Sequence, residues 1–324
     1  MRAYVVHRAS KKTARASSQV VGGGPEKSGI VGASPSMDTK ARIEAALEEA
    51  VTAATLAPCP VRLAEAIRYA VFPGGGRVRP GLCLAVAGAY GDPDPALADA
   101  AAVAVELLHC ASLIQDDLPC FDDAATRRGR PSLHKRFGEE IAILVGDALI
   151  VMAFRAVTAL LGANPEKAAA ILSVLSGAAG APAGIAAGQA WESEPSVDLA
   201  AYHHAKTAAL FEAAAMAGAI AGGVEPAAWR SAGGLLGEAY QVADDLADAL
   251  GEARRLGKPI HKDGDKRRPS MVTKLGIEGA GRRLEELLDR AVHSVPPCPG
   301  RRDVEAFLAL TAERLCPPTL RAAR

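Results

Sequence analysis

Two pairs of adjacent acids set off the chemistry of this chain. Residues 101–130 read AAVAVELLHCASLIQDDLPCFDDAATRRGR. An apolar run ends at Asp116 and Asp117, Asp122 and Asp123 follow after a short gap, and Arg127 and Arg128 come next. Val105, Leu108, Ser112 and Gln115 keep helical spacing ahead of the acids, so the carboxylates fall at the C-terminal end of a largely buried helix. The helix dipole disfavours negative charge there, so something strongly cationic must face it. Hard divalent cations such as Mg²⁺ take oxygen ligands and usually keep phosphate and water in the shell. Far downstream, QVADDLADAL carries Asp244, Asp245 and Asp248. Asp244 and Asp248 are i, i+4 and share one helix face. Either cluster alone reads equally well as a solvated helix end. Two of them on apolar helices, with basic residues nearby, suggest a helical cavity that holds a diphosphate through Mg²⁺.

The cations that would serve such a site are spread along the chain. PGGGRVRP (73–80) is a glycine-rich loop before a helix, where backbone N–H groups and Arg77 or Arg79 could bind a phosphate. Gly-rich turns before helices are common, so this segment is a weak signal by itself. Arg127 and Arg128 could fork onto diphosphate oxygens or simply face solvent. His109 lies two turns before Asp116 on roughly the same face, and serves either as a ligand or as a core residue. Lys206 and Thr207 open an Ala-rich helix in AYHHAKTAALF; the adjacent His203 and His204 lack zinc-site spacing and read as surface residues. GKPIHKDGDKRRPS (257–270) packs Lys258, Lys262, Lys266, Arg267 and Arg268 into one loop, either a solvated segment or a lid over a polyphosphate.

These groups need a scaffold, and composition says which kind. Apolar residues make up 49% of the 324, aromatics only 4%, and Ala, Leu and Val dominate. Ala and Leu favour helix, and β-branched runs bounded by turns are hard to find; the expectation is an all-α protein. Periodicity predicts helices near 38–55, 61–71, 80–90, 95–117, 139–161, 165–178, 199–221, 226–250, 278–293 and 301–315, punctuated by Pro- and Gly-containing breaks. No repeat and no long linker divides them, so the expectation is one domain, 38–324, a bundle around a central cavity. Residues 1–37 are polar, aperiodic and Gly/Ser-rich, expected to be a disordered extension or an over-extended start, with Met37 as initiator and Asp38 capping the first helix. That segment holds Arg2, Arg8, Lys11, Lys12, Arg15 and Lys27 against Glu26; with 37 basic and 37 acidic residues in total, the remainder has a net charge of −5. Nucleic-acid binding usually needs the opposite balance. No apolar run of roughly 18–20 residues lacks an interrupting polar group, so no membrane span is expected. Six cysteines without CxxC spacing read as reduced, inert thiols.

Taken in order, these segments resemble the trans-polyprenyl diphosphate synthase family over about residues 38–316. LIQDDLPCFDDAATRRGRPSLH is similar to its first aspartate-rich motif and YQVADDLADAL to its second; GQAWESE and AKTAALF look most like the geranylgeranyl diphosphate synthases of bacterial carotenoid pathways. The resemblance implies an isoprenoid-synthase-type helical bundle, a homodimer, and condensation of isopentenyl diphosphate with dimethylallyl, geranyl or farnesyl diphosphate; the Ala-rich, acidic-to-neutral body suits a cytoplasmic location. It implies three Mg²⁺ ions bridging the allylic diphosphate to Asp116, Asp122 and Asp244, with Asp117, Asp245 and Asp248 as further ligands or in support. Lys206, Lys258 and Arg127 would hold the same diphosphate, helped by Thr207 and Gln241. Arg79, His109 and Arg128 would hold isopentenyl diphosphate. Metal and cations stabilise the leaving group, so the allylic C–O bond ionises in a dry cavity.

Small residues at Ala111 and Ser112 leave a path for the growing prenyl tail, where a bulky aromatic would stop it at fifteen carbons; twenty carbons is the expected product. The chain departs from the family pattern at Gly76, where a lysine is usual, at Gln115, where a histidine is usual, and in its strongly basic HKDGDKRRP segment. A farnesyl or longer-chain synthase, a non-catalytic partner subunit and a terpene cyclase are the competing readings. The intact aspartates oppose the second of these and DDLAD opposes the third.

Overall fold

Ala- and Leu-rich segments with little β-branching fold as helices in the computed structural model, which describes residues 35–72, 75–250 and 270–315. In chain order these are α1 (Pro35–Thr55), α2 (Val61–Val71), α3 (Val78–Gly88), α4 (Pro95–Asp117), α5 (Leu133–Phe137), α6 (Glu139–Thr158), α7 (Pro165–Ala179), α8 (Ile185–Ala190), α9 (Leu199–His203), α10 (Ala209–Ala221), α11 (Arg230–Ala249), α12 (Met271–His293) and α13 (Arg301–Leu315). Among the described residues the all-α expectation is met apart from one two-residue antiparallel ladder, Thr126–Arg127 against Arg130–Pro131. Residues from Pro35 onward cluster as one unit.

α4 is the axis of the site. Asp94 caps it by accepting from the Leu97 N–H at 3.2 Å, Pro95 supplies a preset φ in the first turn, and Asp116 and Asp117 end it. α4 packs along α6, α3 and α10; α10 packs on α3, α7 and α11; α11 lies along α12. Leu97, Leu107, Leu149, Leu210, Phe211 and Leu236 are among the fully buried side chains between them, each contributing about 1.5–3 kcal/mol through burial. Trp229 is wholly buried and donates its ring N–H to the Tyr90 hydroxyl at 3.3 Å. That bond satisfies the polar atom which burial of the indole would otherwise strand.

Several expectations are corrected. α1 begins at Pro35, so position 38 falls inside the helix instead of capping it. The segment expected as one helix over 199–221 is α9, one π-helical turn at His204–Ala208 and then α10. A 3₁₀ turn at Pro226–Trp229 precedes α11. α12 begins at Met271, well before the expected 278, and is broken at Gly276, whose φ is 69°. The short helices α5 and α8 are too brief for periodicity to reveal. α4 and α6 are both long and apolar enough to cross a membrane, contrary to the expectation that no segment would be. The first is a core helix, but only 39% of the apolar window of α6 is buried, and Ile143, Leu144 and Val151 are exposed on its outer side.

Candidate active site

The first acidic motif closes on itself through its backbone. The Asp122 N–H donates to the Asp116 carbonyl at 2.9 Å, Asp123 N–H to Leu118 O at 3.0 Å and Ala124 N–H to Asp117 O at 3.2 Å. The turn therefore satisfies carbonyls at the end of α4 and brings Asp122 back beside Asp116 and Asp117. Asp117 is buried and takes Arg127 on both carboxylate oxygens, with contacts between 2.5 and 3.2 Å. Burial pushes Asp117 above the usual carboxylate range; Arg127 opposes this, and Asp116 and Asp122 add to it. Asp117 thus anchors Arg127.

Asp116 shares a face of α4 with Ser112 and His109, four and seven residues earlier. Gln189 on α8 donates to Asp116 Oδ1 and to the Ser112 carbonyl, each at 3.2 Å. Lys206, in the π-helical turn, lies 3.7 Å from Asp116 and pairs with Glu192. Its neighbour Thr207 donates to the Gln241 side chain of α11 at 2.7 Å. Gln241 in turn donates to Asp245 at 3.0 Å, and the Met271 N–H reaches the other Asp245 oxygen at 2.7 Å. Consecutive residues of one helical turn therefore touch the two acidic motifs, Lys206 the first and Thr207 the helix of the second. Asp245 joins α11 to the start of α12; Asp244 and Asp248 lie on the same helix.

The glycine-rich loop delivers one arginine to this region and withholds the other. Arg77 was expected as a phosphate ligand, but its guanidinium is 1% exposed and bonded to Glu44, Glu106 and the Val71 carbonyl. It is corrected to a structural residue, because a guanidinium whose donors are spent inside the protein has none for a ligand. Arg79 lies over the rings of Phe211 and Tyr240, at 4.4 and 5.5 Å. Its Nη1 is 3.4 Å from His109 Nε2, and its Nε is buried with no hydrogen-bond partner. Burial lowers the Arg79 pKa, with the nearby Arg128 adding to that. Burial and the cluster of Arg79, Arg128, Arg127 and Arg77 hold His109 well below its ordinary value, so it is neutral and works as a hydrogen-bonding group. Arg128 turns back over the loop, and a Cβ at Gly75 would lie 2.7 Å from its Nη2. Arg79, His109 and Arg128 are thus brought together as expected.

Ala111 is packed in the core and Ser112 is half-buried. His203, expected at the surface, is 5% exposed. Its Nε2 is 3.9 Å from Asp245, and burial, aided by Lys206, lowers its pKa to about 4. His204 is half-exposed and contacts Glu212 at 3.1 Å. Lys258, Lys262, Lys266, Arg267 and Arg268 lie outside the described residues. Sequence reasoning gave no role to Gln189 and Glu192, although GQAWESE was a visible signal, nor to Glu106, Phe211 and Tyr240.

A profile of the polyprenyl synthetase family matches residues 60–298. The chain belongs to the polyprenyl synthetase family. It is 50% identical over 276 residues to a geranylgeranyl diphosphate synthase of Cereibacter sphaeroides, covering 85% of this chain and 96% of that protein. A geranylgeranyl diphosphate synthase of Rhodobacter capsulatus is 49% identical over 279 residues, covering 86% of this chain and 96% of its own length. The crystal structure of a Helicobacter pylori geranyltransferase, complexed with magnesium and isoprenyl diphosphate, superposes with a TM-score of 0.72 at 28% identity. That match covers 87% of this chain and all of the other. Within the matched residues the structure brings Arg79 to His109 and links Asp116 to Asp245 through Lys206, Thr207 and Gln241.

Proposed function

We propose that this chain is a geranylgeranyl diphosphate synthase, joining isopentenyl diphosphate to an allylic diphosphate and releasing pyrophosphate. The observation that carries the reading is the π-helical turn whose Lys206 and Thr207 reach toward the two acidic motifs at once. That arrangement links the first acidic motif to the helix of the second, elements more than a hundred residues apart in sequence.

Asp116 and Asp122 from the first motif, with Asp244 and Asp248 from the second, are the groups we assign to Mg²⁺, three ions in all. Their oxygen-only chemistry fits a hard cation. Among the described residues no three His, Cys, Asp or Glu side chains converge to hold an ion; in the proposed site diphosphate oxygens would complete the coordination. When bound, Mg²⁺ supplies positive charge to the departing diphosphate. The chain's own residues do the rest. Lys206 and Arg127 face the allylic diphosphate, Arg127 fixed by Asp117; Lys258 is assigned to the same group. Arg79 and Arg128 take the diphosphate of isopentenyl diphosphate, with the neutral His109 as a hydrogen-bonding partner. In the reaction the allylic C–O bond breaks, the isopentenyl double bond forms the new C–C bond, and the proton lost from the isopentenyl unit goes to pyrophosphate. Ala- and Leu-lined walls keep water from the intermediate cation.

The prenyl tail is proposed to pass Ala111 and Ser112 and to end at twenty carbons, a product that carotenoid pathways consume. We further propose a cytoplasmic homodimer joined through the outer face of α6. Ile143, Leu144 and Val151 are about half or more exposed there. The exposed Asp147 and Arg155 on the same face favour a second protein copy over a lipid interior.

The test is incubation of purified protein with Mg²⁺, farnesyl diphosphate and labelled isopentenyl diphosphate, followed by chromatography of the dephosphorylated products. A geranylgeraniol peak that vanishes with EDTA and in Asp116→Ala or Asp244→Ala supports the proposal. Ala111→Tyr should shorten the products made from a five-carbon starter. No incorporation from any allylic starter by folded protein would replace it with the reading of a non-catalytic partner subunit.

A further inference from the structure

Glu106 is a carboxylate that the proposed chemistry does not use, yet it is 2% exposed. It sits on α4 one turn before His109. Its Oε1 accepts from Arg77 Nη1 at 2.5 Å. Arg77 also donates to Glu44 from Nε and Nη2, at 2.8 and 3.2 Å, and to the Val71 carbonyl at 3.0 Å. One guanidinium thus ties α1, the end of α2 and the middle of α4 to the residue that begins α3. Arg77 itself has φ 47°, a left-handed conformation that a non-glycine residue keeps only when its surroundings hold it. Two residues later comes Arg79, whose guanidinium meets His109. The two contacts form parallel rungs between the same elements: Arg77 to Glu106, then Arg79 to His109. The first rung is buried and the second faces the site. Glu44 keeps about a third of its side chain in solvent, so Glu106 is the buried half of the clamp.

We infer that Glu106 is a positioning residue, which through Arg77 sets the start of α3 so that Arg79 and His109 meet isopentenyl diphosphate in the right register. Its partners lie on the isopentenyl side only, so its loss falls on that substrate and spares the allylic one. Glu106 also favours the charge on Arg79, whose guanidinium is otherwise penalised by burial. The inference rests on the prenyl-transfer reading of the site.

The experiment uses the full chain with Glu106→Gln, and Glu106→Asp as a milder variant that keeps the charge but withdraws it by one methylene. Steady-state kinetics give KM for isopentenyl diphosphate, KM for farnesyl diphosphate and kcat; a thermal melt reports folding. Isothermal titration with isopentenyl diphosphate alone reads the same affinity without turnover. Expected is a rise in KM and Kd for isopentenyl diphosphate of roughly tenfold or more in Glu106→Gln and a smaller rise in Glu106→Asp, with KM for farnesyl diphosphate and kcat within about twofold. Unchanged KM and Kd for isopentenyl diphosphate in either folded variant overturns the inference. So does a loss of kcat with no KM split, the mark of a merely structural residue. A wild-type chain that neither binds nor turns over isopentenyl diphosphate defeats the proposed function itself, a different result from an active wild type with an indifferent Glu106.

Discussion

Replacing Gly188 with alanine should disable the site without replacing any group assigned to chemistry. Gly188 lies on α8, immediately before Gln189, and α8 presses against the π-helical turn that carries Lys206. A methyl group at Gly188 would run into the Cα and N of Lys206 and stand 2.8 Å from the Ala205 carbonyl carbon, where ordinary contact needs 3.4–4 Å. The obstacle is backbone, so α8 and the turn must separate by something approaching an ångström. Overpacking of this kind costs about 1–3 kcal/mol, at about 1.5 °C in Tm per kcal/mol for a chain of 324 residues. The functional cost is larger. Gln189 and Lys206, which both reach Asp116 Oδ1, would both move, and a shift of about 1 Å in positioning groups can cost about a hundredfold in rate. The assay is kcat with saturating substrates beside a thermal melt, with Gly177→Ala as control. Gly177 is an exposed position on α7 with open space around it, where alanine should be neutral or stabilise by up to about 1 kcal/mol. A Gly188→Ala protein with wild-type Tm and kcat would refute the reasoning that this close approach sets Lys206.

Two further outcomes are expected. Burial pushes the thiols of Cys83 and Cys110 up to about 12. At pH 8 their thiolate fraction is then roughly a thousandfold below that of an ordinary cysteine, so alkylation followed by peptide mass spectrometry should label the exposed Cys120 and leave both untouched until denaturant is added. Because their pKa values are raised on folding, the stability they contribute is intact below pH 9 and is lost as pH climbs from 9 toward 12; equal labelling rates for Cys83 and Cys120 would contradict this. On α6, Val151→Glu should leave folding intact and convert the proposed dimer to monomer in sedimentation velocity, since a charge is tolerated in water and costly inside an apolar interface. A dimer that survives Val151→Glu together with Leu144→Glu would remove that face as the interface.

Local order along the chain specified most of the long helices and the sites of charge. α2, α4 and α13 have the expected boundaries, because each combines apolar periodicity with Pro or Gly stops, signals carried by neighbours along the chain. The spacing of Asp116, Asp117 and Asp122 and the i, i+4 pair Asp244 and Asp248 are likewise local and were legible as acidic clusters. What periodicity could not reach was any contact between distant segments. Arg77 and Arg79 are two residues apart in one basic loop and look interchangeable in sequence. Tertiary structure buries Arg77 against Glu44 and Glu106 and turns Arg79 toward His109, because position 77 precedes the helix in a left-handed conformation and position 79 lies within it. His203 and His204 are neighbours with opposite fates for a similar reason: the π-helical turn places one against Asp245 and the other beside Glu212. Gln189 and Glu192 acquire roles only because Gly188 lets α8 approach the turn that holds Lys206. Charge and period are properties of the chain read in order. Which charge is spent inside the fold and which is left for a ligand depends on partners tens of residues away, and only packing chooses them.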